Sequence, residues 1–444
     1  MQKGYCQINR NGSKEDKLMK KKSAFVPMAC DLIHEGHINI LKQASKYGEV
    51  IVGLLTDEAI SKYKPLPTFD YKRRERIVKS IKYVSKIFKT HDWDYKKALE
   101  SLKPNFVVHG DDWKNNNQRI VRSNVRNQIK KWKGILIEIP YTKGISSSSV
   151  KETLKQNFEG KDLRNNIFDR LIKNKKLIRV IEVHNGLSAL ISSQAKFKNN
   201  EFDCLWLSSL THSASKGKPD IEYIDDTTVT QTINDIFDVS LKPLIFDADS
   251  GGRIEHLKFT IKNLSRLGVS AIMLEDKIGD KINSLQKGNS QKQDSIQNFC
   301  SKIIESKKIA KSSGIKIFAR IESLTLNKPV SDAIKRARNY LNAGSDGIMI
   351  HSKKKNPKEV FAFCNQYNLI INKKPLIVVP STFNQTFEKE LAEKGVNIII
   401  YANQILRSAI PAMQKTATQI LKDGRSYESD ENMISIQDIL KIFN

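Results

Sequence analysis

Asp247 and Asp249, in "KPLIFDAD", and Glu275, in "VSAIMLED", each close an apolar run with a carboxylate. Carboxylates from neighbouring strands offer oxygen ligands to a single hard cation, and Mg²⁺ accepts such ligands while keeping several waters. The D-A-D spacing predicts that both aspartates project to one side of a strand. Arg320, in "IKIFARIES", brings a permanent planar cation suited to a phosphoryl group or a carboxylate, and His351, in "SDGIMIHS", adds a donor. Together these residues describe a Mg²⁺ site for a small dianionic or trianionic substrate, with cofactor-free chemistry on a phosphorylated acid as the simplest reading.

A second constellation lies near the start of the chain. "CDLIHEGHINIL" places His34 and His37 at a strand-to-helix turn with Gly36 between them. A helix N-terminus has unpaired N–H groups that attract phosphate, and two imidazoles beside it can neutralise charge developing on a leaving pyrophosphate.

The elements that must position these residues follow from the apolar pattern. In the second half, "LIRVIEVHN", "FDCLWLSS", "KPLIFDAD", "VSAIMLED", "IKIFARIES", "SDGIMIHS", "KPLIVVPST" and "VNIIIYAN" are each followed by a helical stretch. That alternation predicts a (β/α)8 TIM-type barrel over 167–444, with Gly268, Gly314, Gly344 and Gly395 ending helices. In such a barrel the strand C-termini form the active-site mouth, and here they carry Ser208, Asp247, Asp249, Glu275, Arg320, His351 and Asn403. The first half also alternates strand with helix, through "SAFVPMA", "EVIVGLLTD", "NFVVHGD" and "ILIEIPY". It predicts an α/β domain over 23–152 with a parallel sheet and helices on its faces. Residues 153–166 read as a helical connection and 1–22 as a disordered basic tail.

The composition narrows the setting. The 444 residues carry a formal charge of +27, but the lysines are spread along the whole length, which argues for a generally basic surface and against a dedicated nucleic-acid footprint. Five scattered cysteines without a C-x-x-C pair argue against a disulfide framework or structural zinc site and fit a reducing cytoplasm. No apolar run approaches the roughly 18 residues of a membrane span.

"EDKIGDKINS" reads as E-D-K, five residues, N-S, and resembles the signature of phosphoenolpyruvate mutase in the isocitrate lyase superfamily. The likeness continues through "EVHNGLSA", "WLSSLTHSA", "DADSGG", "ARIES", "IMIHSKK" and "YANQILRSA", over roughly 165–440. It implies movement of the phosphoryl group of phosphoenolpyruvate from oxygen to carbon, giving phosphonopyruvate. Asp247, Asp249 and Glu275 would hold Mg²⁺, mostly through water, while Arg320 and His351 grip the phosphoryl group. Ser208, Ser209 and Leu210 would line the carboxylate and phosphoryl pocket, and Asp220 would stand beside the migrating group. Lys281, Asn283 and Ser284 would belong to a gating loop that excludes water. The nearest rival is phosphonopyruvate hydrolysis, against which Asn283 and Ser284 speak. The resemblance also implies dimers or tetramers that exchange the last barrel helix.

Residues 23–152 resemble the glycerol-3-phosphate cytidylyltransferase family through "TDEAI", "YKRRERIV", "VVHGDDW" and "GISSSSV", a Rossmann-like nucleotidyltransferase fold that takes CTP. The resemblance implies nucleotide contacts from Asp31, His34, His37, Gly110, Asp111, Asp112, Trp113, Ser146, Ser147 and Ser148, with Lys64 and Arg74 reaching acceptor or phosphate. Two departures stand out: Tyr141 replaces the Arg that opens the last motif, with Lys143 nearby, and Met28, Ala29, Cys30 and Asp31 replace Gly-Thr-Phe-Asp. The pairing of domains implies that a small phosphonate, such as hydroxyethyl- or aminoethylphosphonate, is activated as its CMP derivative. The other reading of the first domain is a silent nucleotide-binding module.

Overall fold

The computed structural model describes residues 22–64, 66–114, 119–140, 160–284 and 291–442. The chain divides into two compact units, one of residues 1–60 and 67–151 and the other of residues 61–66 and 152–444.

The first unit is a five-stranded sheet of β1 (Ser23–Met28), β2 (Glu49–Leu55), β3 (Lys86–Thr90), β4 (Phe106–Gly110) and β5 (Ile135–Ile139). Its order is β3-β2-β1-β4-β5 and its pairings are parallel. Apolar runs such as "AFV" and "VIV" are continuous because helices cover both faces of a parallel sheet. Val26, Val52, Leu54 and Val108 pack with Leu41 of the helix Glu35–Ala44. The chain order reverses between β1 and β4, the crevice where doubly wound folds bind ligands.

The second unit holds a closed barrel of β6 (Ile178–Val183), β7 (Cys204–Leu207), β8 (Leu244–Asp247), β9 (Ala271–Glu275), β10 (Lys316–Ile321), β11 (Gly347–Ile350), β12 (Leu376–Val378) and β13 (Ile398–Tyr401). Its neighbours pair in parallel. Two apolar layers follow from the two-residue period of a strand. Val180, Trp206, Ile245, Met273, Phe318, Met349, Ile377 and Ile400 form the inner cluster, and alternate residues such as Ile181, Leu205, Ile272, Ile317 and Ile348 pack outward against the helices. The expected glycines at 268, 314, 344 and 395 all have positive φ, between 75° and 100°, just past helix ends. The connection expected over 153–166 is helical from Gly160 to Asn174, and its Phe168 and Leu171 join the inner cluster. Residues 153–159 and the basic tail 1–21 lie outside the described residues. Among the described residues, no helix is long and apolar enough to cross a membrane.

Candidate active sites

The barrel mouth is built by the same period that fills the barrel. Ser208, Asp247, Glu275, Arg320 and His351 each stand two residues beyond an inward apolar residue, namely Trp206, Ile245, Met273, Phe318 and Met349. They line one cavity with Ser209, Leu210, Asp220, Asp249, Lys281, Asn283, Ser284 and Asn403. The D-A-D reasoning holds for Asp247 only. Strand β8 ends there, and Asp249 sits at φ 50°, a left-handed conformation that aspartate tolerates better than most side chains. A turn, not strand alternation, aims its carboxylate back at the mouth.

Two charge clusters meet in this cavity. In the first, Lys281 Nζ lies 2.5 Å from Asp249 Oδ2 and 2.7 Å from Asp220 Oδ1 and donates to Ser209 Oγ at 2.6 Å. Ser209 Oγ donates to Asp249 at 2.9 Å, and Asn283 Nδ2 donates to Asp220 at 2.9 Å. In the second, Arg320 Nε lies 2.5 Å from Glu322 Oε1, and its Nη2 lies 3.3 Å from Glu275 and 2.7 Å from Ser284 Oγ. His351 Nε2 is 2.9 Å from the same Glu322 oxygen.

Burial raises the pKa of Asp249, and repulsion from Asp247 adds to it; burial raises Glu275 as well, against the pull of Arg320. An oxygen-only donor set carrying surplus negative charge fits Mg²⁺. Among the described residues no group of three or more His, Cys, Asp or Glu side chains is set to hold a metal ion, and a cation that Asp247, Asp249 and Glu275 held would keep part of its water shell. Burial opposes the charge on Lys281, but attraction to Asp249, Asp247 and Asp220 outweighs it and raises its pKa.

Two residues of this site escaped the sequence reading. Glu322 is fully buried, positions both Arg320 and His351, and accepts from Thr325. Lys277 is buried against Glu275 Oε1 at 3.1 Å. Both lie two residues beyond a residue that was recognised, so the inward parity was the available signal. Asp276 turns the other way. Tyr340 donates to it at 2.7 Å and Arg336 at 3.1 Å, which fixes the end of β9 to the helix Val330–Asn342.

In the first unit, His34 precedes the helix Glu35–Ala44, and its ring centroid lies 4.1 Å from that of His37. His37 Nδ1 accepts from the His34 backbone N–H at 3.4 Å, and burial lowers the His34 pKa. Gly110 ends β4, and Asp111, Asp112 and Trp113 follow on a 3₁₀ turn, so the two motifs leave the adjacent strands that flank the switch point.

Two expected contacts are placed differently. Arg74 is fully buried, donating to the Leu55, Phe69 and Ala29 carbonyls and pairing with Asp57 at 2.7 Å; it braces the ends of β1 and β2. Trp113 is an interior residue, stacked on His109 and donating to Glu138 at 2.8 Å. Lys64 falls in the segment 61–66 that groups with the second unit. Asp31 is buried and accepts from the Thr68 N–H. Tyr141, Lys143, Ser146, Ser147 and Ser148 lie outside the described residues.

Comparison with known proteins agrees with this division. Residues 168–421 match the family model described as phosphoenolpyruvate phosphomutase, and residues 30–153 match the one described as cytidylyltransferase-like. A phosphoenolpyruvate phosphomutase of Tetrahymena pyriformis is 31% identical over 273 residues, 61% of this chain and 88% of that protein. The crystal structure of a phosphonopyruvate hydrolase in complex with oxalate and Mg²⁺ is 28% identical, with a TM-score of 0.56, and covers 63% of this chain and 94% of that one. Within the first unit, an FAD synthase of Archaeoglobus fulgidus is 35% identical over 82 residues, 18% of this chain and 60% of that protein.

Proposed function

The chain belongs to the phosphoenolpyruvate phosphomutase family, and from that premise we propose that its barrel interconverts phosphoenolpyruvate and phosphonopyruvate with Mg²⁺. In the forward direction the P–O bond to the enol oxygen breaks and a P–C bond forms at the methylene carbon, so the keto group of phosphonopyruvate replaces the enol ester. The observation that carries this reading is the joining of Lys281, Asn283 and Ser284 to Asp220, Asp249 and Arg320 across the mouth.

A phosphoryl group in a loose transition state is open to capture by any nearby water. Arg320 and His351 hold its oxygens, Ser208, Ser209 and Leu210 receive the carboxylate end, and the 281–284 segment keeps water out. Asp247, Asp249 and Glu275 would hold Mg²⁺, which supplies charge neutralisation at the enolate and carboxylate oxygens. Phosphorus NMR of the protein with Mg²⁺ and phosphonopyruvate tests the reading. Phosphoenolpyruvate is the expected product, and inorganic phosphate with pyruvate would make the barrel a hydrolase.

For the first unit, nucleotidyl transfer is the activity that the paired histidines at the switch point support. The nucleotide is CTP and the acceptor a small phosphonate made downstream of the barrel's product. Release of pyrophosphate from CTP only when hydroxyethyl- or aminoethylphosphonate is present tests this, and its loss in H34A and H37A separates a working transferase from a silent module. We also place the barrel in a homo-oligomer in the cytoplasm. Of the helix Gln404–Asp423 only Leu406 is buried, while Leu187 and Ile191 of the helix Gly186–Gln194 stand half exposed beside the first strand.

A further inference from the structure

Ser284 Oγ is an acceptor twice over. Arg320 Nη2 donates to it at 2.7 Å and Lys277 Nζ at 3.0 Å. A hydroxyl has two acceptor lone pairs and one proton to donate. With both lone pairs taken by cations, the O–H bond must point away from Lys277 and Arg320. Among the described residues no acceptor receives that proton, although Ser284 is buried and its side chain lines the mouth cavity.

Lys277 is one of the two cations in this arrangement. Its ammonium group lies 3.1 Å from Glu275 Oε1, and it also donates to the Ile282 carbonyl at 2.9 Å and reaches Gln291 Oε1 at 3.5 Å. Its backbone pairs with Gln293 across a short antiparallel ladder at the base of the same segment. One buried ammonium group therefore joins a mouth carboxylate, the ladder and the segment that carries Asn283 and Ser284.

We propose that Lys277 is a positioning residue that, together with Arg320, fixes the Ser284 hydroxyl as a donor aimed at an anionic oxygen of the substrate's phosphoryl group. A hydroxyl free to rotate would spend part of its time with a lone pair facing that oxygen, which repels it. A hydroxyl held by two cations has no such alternative and needs no reorganisation as charge moves in the transition state. Lys277 acts through Ser284 and touches no reacting atom.

The assignment rests on the phosphoryl-transfer reading of the mouth, and a double-mutant cycle tests it. K277M, S284A and K277M/S284A are compared with the wild-type chain by phosphorus NMR of phosphonopyruvate turnover. Removing one positioned donor lowers kcat by about 100-fold, so each single variant should lose about that much while its KM changes little. The double variant should lose no more than about threefold beyond the larger single loss, because both substitutions remove the same oriented hydrogen bond. K277R, which keeps a cationic donor, should recover part of the rate, and K277A, which also removes the donor, replaces K277M in the cycle if the latter does not fold. Losses that multiply in the double variant would overturn the assignment while leaving the phosphoryl-transfer reading intact. A wild-type chain that converts no phosphonopyruvate would overturn that reading first.

Discussion

Lys281 Nζ lies 2.5 Å from Asp249 Oδ2, the shortest of its contacts, and carries the 281–284 segment down onto the carboxylates of the mouth. The pair is buried, so its geometry matters more than that of a surface bridge. Lys281 spans Asp249 and Asp220, which come from different barrel loops, and one side chain thereby seals two sides of the cavity.

K281A is therefore expected to lower kcat for phosphonopyruvate by about 10²–10³-fold, the usual cost of losing a positioned cation or donor in a closed site. Because the seal is lost as well, the share of turnover that yields inorganic phosphate should rise. Product ratios by phosphorus NMR check both. A variant that turns over at the wild-type rate with no phosphate formed would show that Lys281 only anchors the segment and neither assists the reaction nor excludes water.

Glu322 has no exposure and divides one oxygen between Arg320 and His351. Burial opposes its charge, but attraction to Arg320 and His351 outweighs it and keeps its pKa well below the ordinary carboxylate range. E322A leaves the buried Arg320 without its nearest counter-charge and should cost about 3–5 kcal/mol of stability. E322Q keeps the shape and removes the charge. It should fold and show a KM for phosphonopyruvate raised by about tenfold or more, since a weakened hold on an ionic pair costs at least 1.4 kcal/mol. Urea titration of the first variant and steady-state kinetics of the second make the check, and an unchanged KM would remove Glu322 from the grip on substrate.

The mouth was legible in the sequence because an eight-stranded barrel repeats one rule. A residue two positions beyond an inward apolar residue faces the mouth, and "WLS", "IFD", "MLE", "FAR" and "MIH" each obey it. Asp249 lines the mouth cavity, but not through the strand alternation that the D-A-D spacing predicts, since its backbone leaves the strand at positive φ. Arg74 and Trp113 show where such reading stops. A cation or an indole within a recognised motif looks the same in sequence whether it meets a ligand or, as here, backbone carbonyls and Glu138. Only the long-range packing distinguishes the two. Glu322 and Lys277 satisfied the parity rule, but a residue that supports another is hidden when attention stays on those that touch substrate.

The helix Gln404–Asp423 begins on the barrel, where Glu182 Oε2 accepts from the Ile405 and Leu406 N–H groups, and then leaves Met413 and Leu421 exposed. A 20-residue amphipathic helix with one buried side chain calls for a partner surface, and a second copy of the chain offers the half-exposed Leu187 and Ile191. Sedimentation of the intact chain should show a dimer or tetramer, and M413D/L421D should shift it toward the monomer. A monomeric wild-type chain at micromolar concentration would end this reading.

His212 is buried beside the mouth, with its Nε2 3.0 Å from Thr232 Oγ1. Burial lowers its pKa from 6.5 to about 4, helped by Lys216 and His184. In the unfolded chain the imidazole takes up a proton near its ordinary pKa, while in the folded chain it stays neutral until about pH 4. Between these values the unfolded state binds more protons, so the stability this group contributes is full above pH 6.5 and is lost as the pH falls toward 4. H212Q, which cannot titrate but can still bond Thr232, should flatten the fall over that window. Urea midpoints measured at pH 7, 6, 5 and 4 on both proteins make the comparison, and parallel curves would mean that His212 takes up its proton alike in the folded and unfolded chains.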